Sequence, residues 1–331
     1  MSWKIKESVE ILKRNEEYIA IFHTEKIKKR LNLSNQAQTI MHKLIEGTYK
    51  EEEVCSEKEN IDNIIIQQFK QIGILNRKEH DFPHKKYLEQ VRYLEDIGLS
   101  RPESYKAQEK LMNTDVTVLG AGGIGSWIIN GLNQIGVENI TVIDPDIVET
   151  QNLNRQLYSV EDVGEYKIDS IKQKYSDTNV KGRKNKVKSQ EDLEEIIEHT
   201  DFIINCADEP SVYQTSKYVD MHAKKHNHSY CIAGGYSFHQ GFIGPIIVPS
   251  KTAGLEKYIK HQVSNKNDTD SFIQLKSVEG CGTTGFTAGI IANIQLSQIF
   301  KHLTENPETR YNQYAEYDFT ANEVKWINYA K

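Results

Sequence analysis

The sequence predicts an α/β chain in which a small N-terminal α+β domain precedes a doubly wound, mostly parallel sheet. Three observations carry this expectation. Beyond residue 110, apolar runs alternate with amphipathic stretches, the order that βαβ units need. A glycine cluster, Gly120-Ala-Gly122-Gly123-Ile-Gly125, stands between the apolar run Val116-Thr-Val-Leu119 and a helical pattern from Ile124 to Ile135. The first 80 residues keep a different rhythm, two strand patterns followed by two helical ones. At 331 residues the chain is long enough for two domains, one with a large core. We place the first at residues 1–80, a linker and lead-in helix at 81–110, and the main domain at 111–331.

In the first domain, Ser8-Val-Glu-Ile-Leu-Lys13 and Glu17-Tyr-Ile-Ala-Ile-Phe22 are rich in branched and aromatic residues and read as strands. Ser34 is an N-cap for a helix carrying Ala37, Ile40, Met41, Leu44 and Ile45 on one face, with Gly47 at its end. A second helix begins near Ile61, turns Ile64, Ile65 and Phe69 inward and closes at Gly73. The acidic run Glu51-Glu52-Glu53 between them reads as a solvated loop. This order suggests a winged-helix module. Asn76 to Pro83 is a polar linker, and Lys85 to Glu109 a helix and turn. Further on, Ile140–Ile143, Phe202–Asn205 and Tyr230–Ala233 read as strands, Ser189–His199 and Ser211–His226 as helices. The end reads as a hairpin around Ala321-Asn322.

Composition narrows the function classes. A formal net charge of -6 advertises no nucleic acid. The four cysteines, Cys55, Cys206, Cys231 and Cys281, include no CxxC pair, so neither a disulfide framework nor a structural zinc is expected, and a reducing cytoplasm suits them. Charges follow Met1 where a signal peptide needs an apolar core. The apolar stretch Gly285 to Phe300 is broken by Asn293, Gln295, Ser297 and Gln298, which makes it a buried or interface helix rather than a membrane span.

The glycine cluster follows a strand and opens a helix, so backbone N–H groups at the helix start can face phosphate oxygens. Asp144 ends the next strand, where a carboxylate meets a ribose hydroxyl. That much fits NAD as well as ATP. The residues that follow decide: Asp144-Pro-Asp146-Ile-Val-Glu-Thr-Gln-Asn152-Leu-Asn154-Arg155-Gln156, then Val163-Gly164-Glu-Tyr-Lys167. The pattern resembles the hallmark of the ThiF/MoeB/HesA, ubiquitin-activating-type adenylyltransferase family. Asn205-Cys-Ala-Asp208 continues it, although an Asp just past a strand could equally cap the next helix.

The resemblance implies a Rossmann-like fold and an ATP-dependent adenylyltransferase. Gly120, Gly122, Gly123, Gly125, Asp144, Asp146, Asn152 and Asn154 would line the ATP site. Arg155 and Lys167 would stabilise charge on the phosphates, with Gln156 orienting Arg155 or a phosphate. Asp208 would hold Mg2+. CTP in place of ATP is not distinguished.

The sequence also departs from the family. Lys251-Thr-Ala-Gly-Leu-Glu-Lys257 stands where many relatives have the first of two CxxC zinc pairs, so packing must hold that region. Ser277, before Val278-Glu279, replaces the cysteine of sulfur-transfer relatives, and Cys281 nearby is either packing or chemistry. Glu89 stands where relatives carry an arginine that reaches a dimer partner's ATP, and Arg92 is a candidate substitute.

Sulfur-carrier activators lack the N-terminal unit, which resembles PqqD-like elements that bind leader peptides by strand addition. The layout is that of microcin-type peptide-nucleotidylating enzymes. The expectation is ATP-dependent activation of a carboxylate on a ribosomal precursor peptide whose leader is bound by residues 1–80, in a homodimer. Alternatives are a non-catalytic leader-delivery protein, a sulfur-carrier adenylyltransferase and, least fitting, an NAD-dependent oxidoreductase. The basic stretch Lys26-Ile-Lys28-Lys29-Arg30 gives a DNA-binding winged helix some footing, which the acidic run weakens.

Overall fold

The structure is a computed structural model that describes residues 3–6, 8–23, 26–49, 61–77, 82–264 and 282–330. The acidic run at 51–53, Cys55, Ser277-Val278-Glu279 and Cys281 lie outside the described residues, as do positions 78–81 of the expected linker. The chain divides into two units, Met1–Gln108 and Glu109–Lys331, so the first contains most of the lead-in segment as well.

The first unit runs β1 (Trp3–Ile5), β2 (Val9–Arg14), β3 (Glu17–Phe22), β4 (Ile27–Leu31), α1 (Asn35–Ile45), α2 (Ile61–Ile72), β5 (Leu75–Arg77), α3 (Leu88–Asp96) and α4 (Arg101–Met112), which continues past residue 108. Strands β2, β3 and β4 form an antiparallel sheet with β3 in the middle, and β1 pairs with β5. Alternation along β3 buries Tyr18, Ala20 and Phe22 against Ile40, Met41 and Leu44 of α1 and Ile65, Ile66 and Phe69 of α2. Ser34 caps α1 by accepting from the Ala37 N–H at 3.3 Å.

Two expected core positions face outward instead: Ile45 and Ile64 are each 52% exposed. One residue advances a helix by about 100°. Ile45 therefore leaves the stripe that Leu44 ends, and in the run Ile64-Ile65-Ile66 the stripe shared with Phe69 takes Ile65 and Ile66. The basic stretch is β4, an outer strand with Lys28, Lys29 and Arg30 exposed.

The second unit runs β6 (Asp115–Leu119), α5 (Gly123–Ile135), β7 (Asn139–Ile143), α6 (Lys167–Lys174), β8 (Asn179–Arg183), α7 (Gln190–Ile196), β9 (Phe202–Asn205), α8 (Val212–His226), β10 (Ser229–Ile232), β11 (Tyr236–Ser237), β12 (Gln240–Ile243), β13 (Ile246–Ile247), α9 (Leu255–Ser264), α10 (Gly285–Leu303), β14 (Gln313–Asp318) and β15 (Glu323–Asn328). Among the described residues six strands make the main sheet, in the order β13-β10-β9-β6-β7-β8. All its pairs are parallel except β10 with β13. The chain winds one way from β6 to β8 and returns on the other side through β9. A crevice therefore opens past the carboxyl ends of β6 and β9. The hairpin β14–β15 joins β11 and β12 in a second, antiparallel sheet.

Helix α10 packs inside this unit. It buries Ala288, Ile291, Ala292, Gln295 and Ile299, and it meets α5 where a glycine on one helix faces a large side chain on the other. A Cβ on Gly131 would stand 2.2 Å from the Leu296 side chain, and Gly289 lies under the Trp127 ring. No helix among the described residues is long and apolar enough to cross a membrane. Where a first CxxC pair would lie, hydrogen bonds fasten the chain: the Ala253 N–H donates to Asn312 Oδ1 at 2.8 Å and the Tyr329 hydroxyl donates to the Ala253 carbonyl at 3.0 Å.

Gly131→Val should lower stability by about 1–3 kcal/mol, the usual cost of overpacking a close helix contact. Urea unfolding of the full chain checks this.

Candidate active site

Two positions of the turn after β6 exclude side chains, for different reasons. Gly120 sits at φ +84°, and a Cβ there would come within 2.9 Å of the Cys206 carbonyl. At Gly125 a Cβ would stand 2.0 Å from the Gly120 carbonyl oxygen, so this glycine serves strand–helix packing. Gly122, the residue before α5, faces open space, and no side chain caps the helix. The first N–H groups of α5 are thus presented to whatever enters, with the positive end of the helix dipole behind them.

Asp144, at the end of β7, is 4% exposed and fixes this turn from the side. Its Oδ2 accepts from the Ala121 N–H at 2.6 Å and its Oδ1 from the Asp146 N–H at 2.9 Å. Burial pushes its carboxyl above the usual aspartate range, against the pull of Lys167 and of these two N–H groups.

Lys167 begins α6 and is itself buried. Its Nζ lies 2.8 Å from Asp146 Oδ2 and 3.8 Å from Asp144 Oδ1. Backbone pairing explains the motif spacing. The Gly164 N–H donates to the Val148 carbonyl, the Val148 N–H to the Glu165 carbonyl and the Lys167 N–H to the Asp146 carbonyl. Gly164 makes this return at φ +95°.

Asp208 follows β9. Asn205 holds the turn that presents it, donating to Thr215 Oγ1 and Ser216 Oγ of α8 at 3.0 Å each and accepting from the Ala207 N–H at 3.2 Å. The cap of α8 is Ser211, which accepts from the Gln214 N–H, so Asp208 has no capping duty. Its exposed carboxylate joins no hydrogen bond or ion pair among the described residues.

These groups surround a cavity of about 320 Å³. Gly120, Gly122, Gly123, Asp144, Asp146, Lys167 and Asp208 all line it. So do groups that the sequence reading missed: Asn185, Lys186, Glu209 and Tyr236. Lys186 pairs with Glu209 at 2.9 Å, and the Tyr236 hydroxyl lies 2.9 Å from where a Cβ on Gly123 would be. The pair Gly234-Gly235, one residue past β10 and just before Tyr236, was the available signal.

Other expected site residues do not line this cavity: Gly125, Asn152, Asn154, Arg155 and Gln156. Asn152 is buried and braces its own turn, accepting from the Glu149 N–H at 3.0 Å. The Arg155 guanidinium donates to the Gln151 carbonyl at 2.7 Å and to Asn154 Oδ1 at 3.0 Å. Gln156 is buried, and its Oε1 has no partner among the described residues. In the first unit, Arg92 ion-pairs with Glu89 at 2.5 Å on the same helix. Burial pushes the thiols of Cys206 and Cys231 up, away from nucleophilic use.

Residues 87–331 match the ThiF family. The chain is 34% identical over 128 residues to the adenylyltransferase and sulfurtransferase UBA4 of Candida albicans, covering 38% of this chain and 29% of that one. It is 42% identical over 72 residues to the tRNA threonylcarbamoyladenosine dehydratase of Bacillus subtilis, covering 22% and 28%. The chain thus spans under a third of the length of these curated relatives. E. coli MccB, solved with ATP, matches over 100% of this chain and 98% of its own, with a TM-score of 0.70 and 19% identity, a likeness of fold.

The raised carboxyl of Asp144 gives a pH test with a definite sign. Its ionised form is penalised in the fold, so its contribution is favourable below the unfolded aspartate range and is lost as pH rises through the folded value. Asp144→Asn carries no such penalty. The stability difference should shift toward the variant as pH rises across that window and then stay flat. Urea unfolding at a series of pH values checks it.

Proposed function

Because the chain belongs to the ThiF family, we propose that it binds ATP in this cavity and transfers the adenylyl group to a carboxylate of a ribosomally made peptide. The observation that most supports the reading is that an uncapped helix start, Lys167 and Asp208 share one cavity.

In the proposed step a substrate carboxylate oxygen attacks the α-phosphorus. The new O–P bond forms as the bond to the bridging oxygen breaks, and pyrophosphate leaves with that electron pair. No proton moves, so no general base is required. Negative charge gathers on the phosphates, and the N–H groups of α5 and Lys167 would receive it. Lys167 would exchange part of its hold on the exposed Asp146 for phosphate oxygen. Each Asp144 oxygen keeps a lone pair for a ribose hydroxyl. A hard oxygen donor without a protein partner suits Mg2+, and Asp208 is such a donor beside the cavity. Bound there, the ion would neutralise the leaving pyrophosphate. Arg155 contributes only by leaving Gln151 and Asn154.

For the peptide we assign the first unit. Its outer strands β2 and β4 offer backbone edges to which an extended leader can pair, and the exposed Lys28, Lys29 and Arg30 favour an acidic one. A homodimer belongs to the same proposal. A second reading, a leader-delivery protein without catalysis, draws on the position of Arg155 away from the cavity.

Calorimetry with ATP and Mg2+, then exchange of labelled pyrophosphate into ATP in the presence of short acidic-leader peptides screened first for binding to the full chain, separates the two. The wild type should bind ATP and support exchange. Lys167→Ala and Asp208→Asn should each lower exchange by about 10²–10³-fold. Peptide binding without ATP binding would establish the delivery reading and end the catalytic one.

A further inference from the structure

Helices α7 and α8 bring together a cluster that adenylyl transfer leaves unused. His222 and His226 stand four residues apart on α8, one turn along the same face. Glu194 of α7 reaches both. Its Oε1 lies 3.1 Å from His222 Nδ1 and its Oε2 lies 2.7 Å from His226 Nε2. The two imidazole centroids are 4.6 Å apart. His228, two residues past the helix, adds a third ring 5.5 Å from that of His226.

Geometry separates this group from an ordinary ion pair. The His222 side chain is 2% exposed and turns its Nδ1 toward Glu194. One ligand atom from each of Glu194, His222 and His226 lies within 4.8 Å of the other two. A tetrahedral ion bound at about 2.0–2.2 Å by nitrogen and oxygen holds its ligand atoms roughly 3.3–3.5 Å apart, a separation that small side-chain adjustments reach from here. Imidazole nitrogen and carboxylate oxygen are donors that suit such an ion.

We propose that Glu194, His222 and His226 form a binding site for a divalent transition metal of the zinc type, tying α7 to α8 and lying outside the ATP cavity. The missing CxxC pairs bear only on thiolate sites and say nothing about this one. One group competes for the same carboxylate: Lys225, 58% exposed, approaches Glu194 Oε2 at 2.9 Å. A metal would displace it into solvent.

The test uses the full chain, stripped with a chelator and titrated with ZnCl2 by calorimetry and with CoCl2 by visible absorbance. One equivalent should bind, with the intense visible bands of four-coordinate cobalt. Glu194→Gln and His226→Ala should each weaken binding by at least about ten-fold, the loss that follows even from disturbing a ligand's partner. Lys225→Gln should tighten it. His199→Ala, in the separate group Asp115, His199 and Asp201, should leave it unchanged. Circular dichroism confirms that each variant folds. Because His226 is partly exposed, its loss should be tolerated where that of His222 would not be. Absence of a stoichiometric site overturns the proposal, as does zinc binding that survives both Glu194→Gln and His226→Ala or depends on His199 instead.

Discussion

Three groups converge on the carboxylate of Asp144: the Ala121 N–H, the Asp146 N–H and, further off, the Lys167 ammonium. Each comes from a different stretch of chain. The first fixes the turn after β6, the second fixes the turn after β7, and the third fixes where α6 begins. A buried charge with too few partners is expensive, so these three must be present together. The cavity takes its shape from that requirement. Gly120 and Gly125 then allow the backbones of strand and helix to approach closely enough for the first turn of α5 to open into it.

Much of this was legible in the sequence, because some residues can serve at a position for only one physical reason. Glycines at 120 and 125 answer separately to a left-handed backbone and a backbone contact that no Cβ survives. The spacing from Asp146 to Lys167 is the length of a chain that leaves a strand, folds back and pairs with itself. The buried strands β6, β7 and β9 announce themselves by short runs of branched and apolar residues, Val116-Thr-Val-Leu119, Ile140-Thr-Val-Ile143 and Phe202-Ile-Ile204. Strand β8, Asn179–Arg183, does not, since an outermost strand needs little apolar content and this one has almost none. The helix faces at Ile45 and Ile64 went astray where consecutive apolar residues, Leu44-Ile45 and Ile64-Ile65-Ile66, left the stripe free to rotate by one residue.

Membership in a motif says less about where a side chain points. Asn152 and Arg155 sit in the same run as Asp144 and Asp146, yet they occupy a single turn of 3-10 helix and its exit, and both are engaged with their own backbone. Lys186 and Tyr236 lie far from the motif and still line the cavity, because loops after β8 and β10 end beside it. Sequence order hides such neighbours. Sheet order reveals them.

The indole of Trp127 lies against Gly289 of α10 and donates its Nε1–H to the Arg155 carbonyl at 3.1 Å. It therefore touches, at once, the helix that opens the cavity, the long helix beneath it and the loop that carries the arginine. The chain has two other tryptophans, Trp3 and Trp326, both in strands, so substituting both would leave a single tryptophan at that junction. Its emission would follow any rearrangement of the arginine loop in real time, with no label added to the protein.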